Sequence, residues 1–183
     1  RYATKGSAES VEEAQPFYVN APYGIVLIHN GNLTNTRDLE KQLFNIDKRH
    51  TNSSSDTEML LNVFATELQE QIHNQELEPD IIFDAVKSLH KRIQGSYASI
   101  ALISGHGLLA FRDPFGIRPL VIGKLKNSYI FASETCALDI VGANFVREVE
   151  NGEIVVIESD NLKSIKPFPK QKARPCIFEY IYF

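Results

Sequence analysis

At Gly95 the hydrophobic period of this chain changes. Upstream, apolar residues recur at helical spacing: Leu39, Leu43 and Phe44, then Leu60, Val63, Phe64, Leu68 and Ile72, then Ile82, Val86, Leu89 and Ile93. Downstream, short apolar runs bounded by turn residues read as strands: Tyr97 to Ile103 and Leu108 to Phe111 around "SGHG", then Leu120 to Gly123 and Tyr129 to Ala132 across Lys126-Asn127. Arg147 to Glu158 reads as a hairpin broken at Asn151-Gly152, and Glu134 to Val141 as a short helix between strands. Helices in one run and strands in another predict layered α+β packing rather than a doubly wound parallel sheet.

One strand precedes the helices. Tyr23 to Ile28 is an apolar run bounded by Pro22 and by Asn30-Gly31, in the stretch "LIHNGNLTN". Asn35 with Asp38 predicts a capped helix through about Phe44. Ser55-Asp56-Thr57-Glu58 has the Ser-x-x-Glu form of a capping box, and Pro79 suits the first turn of the third helix. The polar, proline-containing "DNLKSIKPFPKQKARP" reads as a connector.

Of the 183 residues, 43% are hydrophobic and 23% charged, enough apolar material for a sizeable core. A net charge of -4 leaves no nucleic-acid footprint, and no apolar run reaches the length of a membrane span. The two cysteines, Cys136 and Cys176, form neither a disulfide framework nor a local zinc spacing, which fits a cytoplasmic setting.

Three places carry candidate chemistry. A glycine amide beside an asparagine side chain, as at Asn30-Gly31, supplies two donors that can converge on an oxyanion; by composition alone the same pair reads as a tight turn. Asp56, at a helix N-terminus, is stabilised by the helix dipole and would bind an ammonium if it faced a cleft. Arg1 could grip a carboxylate bidentately. The five histidines, His29, His50, His73, His90 and His106, show no ligand spacing.

Taken together, "RYATKGS", "AQPFYVNAPYGIVLIHNGNLTN", "SSSDTEML", "FRDPFGIRPLVIG", "ASETCALDIVGANFVREVENGE" and "RPCIFEYIYF" resemble amidophosphoribosyltransferase over nearly the whole chain and in the same order. The resemblance implies an N-terminal-nucleophile hydrolase fold, a four-layer αββα sandwich, here incomplete. It divides the chain into a partial glutaminase domain at 1–160 and a connector at 161–183 toward a phosphoribosyltransferase domain outside it.

The implied chemistry belongs to de novo purine (IMP) synthesis. Glutamine is hydrolysed by an N-terminal cysteine whose own amino group is the base. The ammonia then displaces pyrophosphate from phosphoribosyl pyrophosphate to make 5-phosphoribosylamine. By the same resemblance Asn30 and Gly31 form the oxyanion hole, Arg1 holds the glutamine α-carboxylate, Asp56 binds the α-ammonium, and Thr4 lies in the glutamine-binding segment. Neither Cys136 nor Cys176 matches the nucleophile, so the 183 residues alone are expected to be inactive.

The wording around Cys176 resembles the iron–sulfur branch of the family. That implies Cys176 as one of four thiolates of a [4Fe–4S] cluster, with the other three outside the chain; the alternative is a structural thiol. Cys136 is read as structural. Mg2+ is expected in the transferase domain, and a homo-oligomer for the full-length protein. Two rival readings are a non-catalytic glutamine-binding remnant and another glutaminase-type amidotransferase. Lys5, where the sugar-phosphate enzymes carry histidine, and the "DPFGIRPL" block weigh against the second.

Overall fold

The structure, a computed structural model, describes residues 13–72 and 76–182. In chain order the elements are β1 (Phe17–Val19), β2 (Ile25–Leu33), α1 (Thr36–Gln42), α2 (Asp56–Gln71), α3 (Pro79–Arg92), β3 (Gly95–Ile103), β4 (Gly107–Arg112), β5 (Val121–Leu125), β6 (Ser128–Ala132), α4 (Thr135–Val141), β7 (Asn144–Glu148), β8 (Ile154–Glu158), β9 (Asn161–Ile165) and α5 (Glu179–Tyr182). A π-helical turn, Leu43–Asp47, continues α1 and ends at Lys48 in the left-handed region.

All strand pairs are antiparallel. One sheet has the order β1-β2-β3-β4-β8-β9 and the other β6-β5-β7. Strand alternation sets the layers. Along β3, β4 and β8, Tyr97, Ala101, Ile103, Leu109, Phe111, Ile154 and Val156 join one core with α1, α2 and α3. The intervening Ala98, Ala110, Val155 and Ile157 join a second core with Leu120, Ile122 and Val149. A third small cluster, Val121, Leu138 and Ala143, seats α4 on the outer face of the β5 sheet. The result is helices, sheet, sheet, helix, the expected four layers. Each fully buried Leu, Ile or Phe in the largest core contributes about 1.5–3 kcal/mol.

α2 is buried on every side from Asp56 to Leu68, whereas its spacing predicts a single apolar stripe. Its polar positions bond locally: Asn62 Nδ2 donates to Glu58 O at 3.0 Å and Thr66 Oγ1 to Asn62 O at 3.1 Å, while Glu67 accepts from Arg92 at 2.8 Å. No helix among the described residues is long and apolar enough to cross a membrane.

Several local readings are corrected by pairing that no local pattern encodes. β2 does not stop at Asn30-Gly31. It runs to Leu33, with Gly31 opposite Tyr97 and Leu33 opposite Gly95. Asn35 occupies the N-cap position but its side chain does not cap α1; it bridges to the end of α3, donating to Arg92 O at 2.8 Å and accepting from Gln94 N at 3.0 Å. In the capping box only half forms. Ser55 Oγ accepts from Thr57 N, while Glu58 turns to the preceding loop and takes the amides of Asn52 and Ser53, both at 2.8 Å.

Arg147 to Glu158 is not a hairpin. β7 pairs with β5 in one sheet and β8 with β4 and β9 in the other. Arg147 ties the two together, donating both terminal nitrogens to the Glu153 carboxylate at 2.8 Å. Burial works to raise the Glu153 carboxyl, but the Arg147 fork and the Glu150 amide hold it below the ordinary range. The first part of the polar connector is β9, so the sheet extends past residue 160, where the sequence reading ends the domain.

Candidate functional site

β2 carries the candidate donors, and its alternation sends them to different faces. Ile25, Leu27, His29, Gly31 and Leu33 are buried on the helix side, while Asn30 and Asn32 are half-buried on the other. Gly31 has φ +155°, and a Cβ there would stand 2.2 Å from Ser96 O and 2.6 Å from His29 Nε2. The glycine is required by close approach of β3 and the His29 ring.

α2 begins beneath this end of β2. Asp56, 5% exposed, accepts from Leu33 N with Oδ2 at 3.0 Å. Its Oδ1 lies 3.9 Å from His29 Nδ1. His29, 2% exposed, also approaches Thr57 Oγ1 at 3.4 Å through Nδ1 and Ser96 O at 3.2 Å through Nε2. Gln15 clamps the same point. Its side chain accepts from His29 N at 2.8 Å and donates to His29 O at 3.1 Å and to Thr57 Oγ1 at 2.7 Å. Asn32 N donates to Ser96 Oγ at 3.1 Å.

The fold therefore sets Asp56 against the helix-side face of β2, where Gly31 also lies, while Asn30 points to the other face of the same strand. Arg1 and Thr4 lie outside the described residues, as does His73. Gln15, His29, Thr57 and Ser96, which complete the junction, were not singled out as site residues from the sequence. Gln15 and His29 do fall inside the block "AQPFYVNAPYGIVLIHNGNLTN", the only local signal they carry.

Cys176 is held elsewhere. Its amide donates to Ile117 O at 3.0 Å, Arg174 N donates to Phe115 O at 2.9 Å, and Arg118 pairs with Glu179. Its thiol is free and part-exposed. Among the described residues no group of three or more His, Cys, Asp or Glu could hold a metal. Cys136 is exposed on α4, and its thiol is pushed up by the carboxylate of Glu134, to which it donates. An open cleft of roughly 580 Å³ lined by Tyr23, Leu77, His106 and Glu158 lies at the opposite end of β2 and takes no part in this constellation.

A second buried polar centre is the loop at 112–118. Asp113, fully buried, accepts from Phe115 N at 2.9 Å, from Tyr97 N at 3.3 Å and from Ile117 N at 3.3 Å. Arg112 caps three carbonyls, those of Arg118 at 2.7 Å, Val149 at 2.8 Å and Gly116 at 3.1 Å.

Stacked antiparallel sheets between helical layers, shared with solved class II glutamine amidotransferases, define a class II glutamine amidotransferase domain with the N-terminal-nucleophile hydrolase fold. The chain belongs to the glutamine amidotransferase domain family, whose model matches residues 3–139. Its curated relatives include the amidophosphoribosyltransferase of Haemophilus influenzae, 53% identical over 188 residues, and that of Escherichia coli, 50% identical over 189. Each alignment covers 100% of this chain and 37% of the relative, so the chain spans little more than a third of their length. Among solved structures, the glutamine phosphoribosylpyrophosphate amidotransferase from B. subtilis, complexed with ADP and GMP, superimposes with a TM-score of 0.79 at 34% identity, covering 99% of this chain and 36% of that one. The resemblance to amidophosphoribosyltransferase is borne out.

Proposed function

We propose that this chain is part of the glutamine-hydrolysing half of an enzyme that makes 5-phosphoribosylamine from glutamine and phosphoribosyl pyrophosphate, the first step of de novo purine synthesis. The observation that carries this is Asp56 set against the strand of Asn30-Gly31, through Leu33 N and beside His29, within the matched family region.

In this reading the substrate is a zwitterion, gripped at its α-ammonium by Asp56 and at its α-carboxylate by Arg1, with Thr4 beside them. A cysteine thiolate, which neither Cys136 nor Cys176 matches, adds to the side-chain carbonyl carbon. The carbonyl electron pair moves to oxygen, and that oxyanion is held by Asn30 Nδ2–H and the Gly31 amide. Collapse expels the amide nitrogen as ammonia, protonated by the cysteine's own amino group, which had taken the thiol proton; the thioester left behind is cleaved by water to glutamate, regenerating the thiol. The ammonia then attacks the anomeric carbon of phosphoribosyl pyrophosphate and pyrophosphate leaves. That second step, its Mg2+, the assembly of subunits into a homo-oligomer and a cytoplasmic location belong to the same proposal for the full-length protein.

The test is glutamate release by the full-length protein. Asn30→Ala is expected to lower kcat for glutamine hydrolysis by about 10²- to 10³-fold. Wild-type turnover in that variant would remove Asn30 from the oxyanion hole.

Cys176 is proposed as one thiolate ligand of a [4Fe–4S] cluster. Its free, part-exposed thiol suits one of the four positions, and the remaining donors would come from outside the described residues. Iron and sulfide analysis of the full-length protein beside Cys176→Ser decides it: equal cluster content in both would make Cys176 a structural thiol.

A further inference from the structure

The glycine of "HNG" is required by the Ser96 carbonyl, 2.2 Å from where a Cβ would stand, and by the histidine two residues before it. His29 and Gly31 lie on the same face of β2, and the position a Cβ would take at Gly31 is already within 2.6 Å of His29 Nε2. We infer that His29 is a positioning residue for the Asn30–Gly31 donor pair, working as a neutral imidazole protonated on Nε2 and carrying no proton in the reaction; the inference rests on the oxyanion reading above.

The tautomer follows from the partners. Ser96 O is a carbonyl and can only accept, so Nε2 at 3.2 Å must donate. Thr57 Oγ1 receives the Gln15 amide at 2.7 Å, and its own proton can then go to His29 Nδ1 at 3.4 Å. Asp56 Oδ1 stands 3.9 Å from that nitrogen, beyond hydrogen-bond length. The ring thus spans from the first turn of α2 to the backbone of β3, directly under Gly31.

Around it, Gln15 holds the amide and carbonyl of His29 itself, and Ser96 Oγ holds the amide of Asn32. The peptides on both sides of Asn30-Gly31 are therefore fixed by side chains as well as by the strand ladder. A side chain that faces the helices, while Asn30 faces the other side of the sheet, cannot touch a reacting atom at Asn30. What it can do is set the peptide planes that aim the donors, and a small error there costs as much as a lost donor.

The experiment uses the full-length protein with His29→Phe, His29→Gln and Asn30→Ala. Phenylalanine fills the ring volume without the Nε2 donor, whereas the glutamine amide can still donate to Ser96 O. For His29→Phe, kcat for glutamine hydrolysis should fall about 10- to 100-fold with KM for glutamine little changed, and His29→Gln should recover most of it. In selectively labelled protein, the His29 ring nitrogens should give the Nε2–H pattern by NMR.

Undiminished turnover in His29→Phe, a loss confined to KM, or an Nδ1–H pattern would each overturn the inference. If His29→Phe does not fold, His29→Gln carries the test alone, and turnover as low as in Asn30→Ala overturns it. If Asn30→Ala itself turns over at the wild-type rate, the oxyanion reading falls and this inference with it. If Asn30→Ala is slow while the His29 variants are not, only this inference falls.

Discussion

Asp56 and Asp113 are both buried carboxylates that accept amides from strands of the same sheet. Asp113 has both oxygens taken by the amides of Tyr97, Phe115 and Ile117, beside an arginine that closes the same loop. Burial raises its carboxyl above the ordinary range against the pull of those amides and of Arg112. Asp56 spends one oxygen on Leu33 N and turns the other toward His29 at 3.9 Å. A carboxylate saturated by backbone amides is committed to holding a loop. One with a lightly engaged oxygen, at a helix N-terminus beside a strand that a glycine lets close in, leaves an acceptor for a ligand. The same residue type therefore serves structure on the β4 side of the start of β3 and a candidate site on its β2 side.

The comparison is broken most directly at Asp113. Asp113→Ala takes the acceptor from three amides, one buried and two part-buried, and should cost roughly 4 kcal/mol of stability, read as a lowered unfolding midpoint. A loss below about 1 kcal/mol would mean the loop does not depend on it. Next comes Gly31→Ala. A methyl group at 2.2 Å from Ser96 O forces β2 and β3 apart, at about 3 kcal/mol, and should abolish glutamine hydrolysis together with the shape of the site.

Asp56→Asn sharpens the contrast. It should cost only about 1 kcal/mol of stability, because the amide oxygen can still accept from Leu33 N, yet raise KM for glutamine about tenfold. If stability falls further than at Asp113, the two aspartates have the same job. The smallest effect lies next to Asp113, where Tyr97 pairs with His90 at 2.7 Å between hydroxyl and Nδ1. Burial lowers His90 below its usual value, so the folded state prefers neutral histidine. Protons then bind the unfolded chain first, and stability is complete above about pH 6.5 and declines as pH falls from there toward the lowered folded value. Tyr97→Phe should remove about 1 kcal/mol at neutral pH, measured by denaturant unfolding.

Much of the fold was legible residue by residue. α3 begins at Pro79 as its sequence predicts, and α4 ends at Gly142 in the left-handed conformation. The strands around Gly105 and Lys126 fall where their patterns place them. Of the site, Asn30, Gly31 and Asp56 were legible only through the wider resemblance, since an Asn-Gly pair alone reads as a turn. His29 was visible as a residue without a role. Its partners, Gln15 fourteen residues before it and Ser96 sixty-seven after it, share no local pattern with it.

Most of the elements and their order follow from the sequence alone, because side-chain period and capping chemistry act within a few residues. Only the tertiary structure decided which strands share a sheet. It separated β7 from β8, extended β2 through Asn30-Gly31 against β3, and made β9 from a stretch that looks like a connector. It also decided which buried aspartate is saturated and which is not. Those outcomes depend on backbone amides brought from distant parts of the chain, as at Asp113 with Tyr97 and at Asp56 with Leu33, and no local spacing records them.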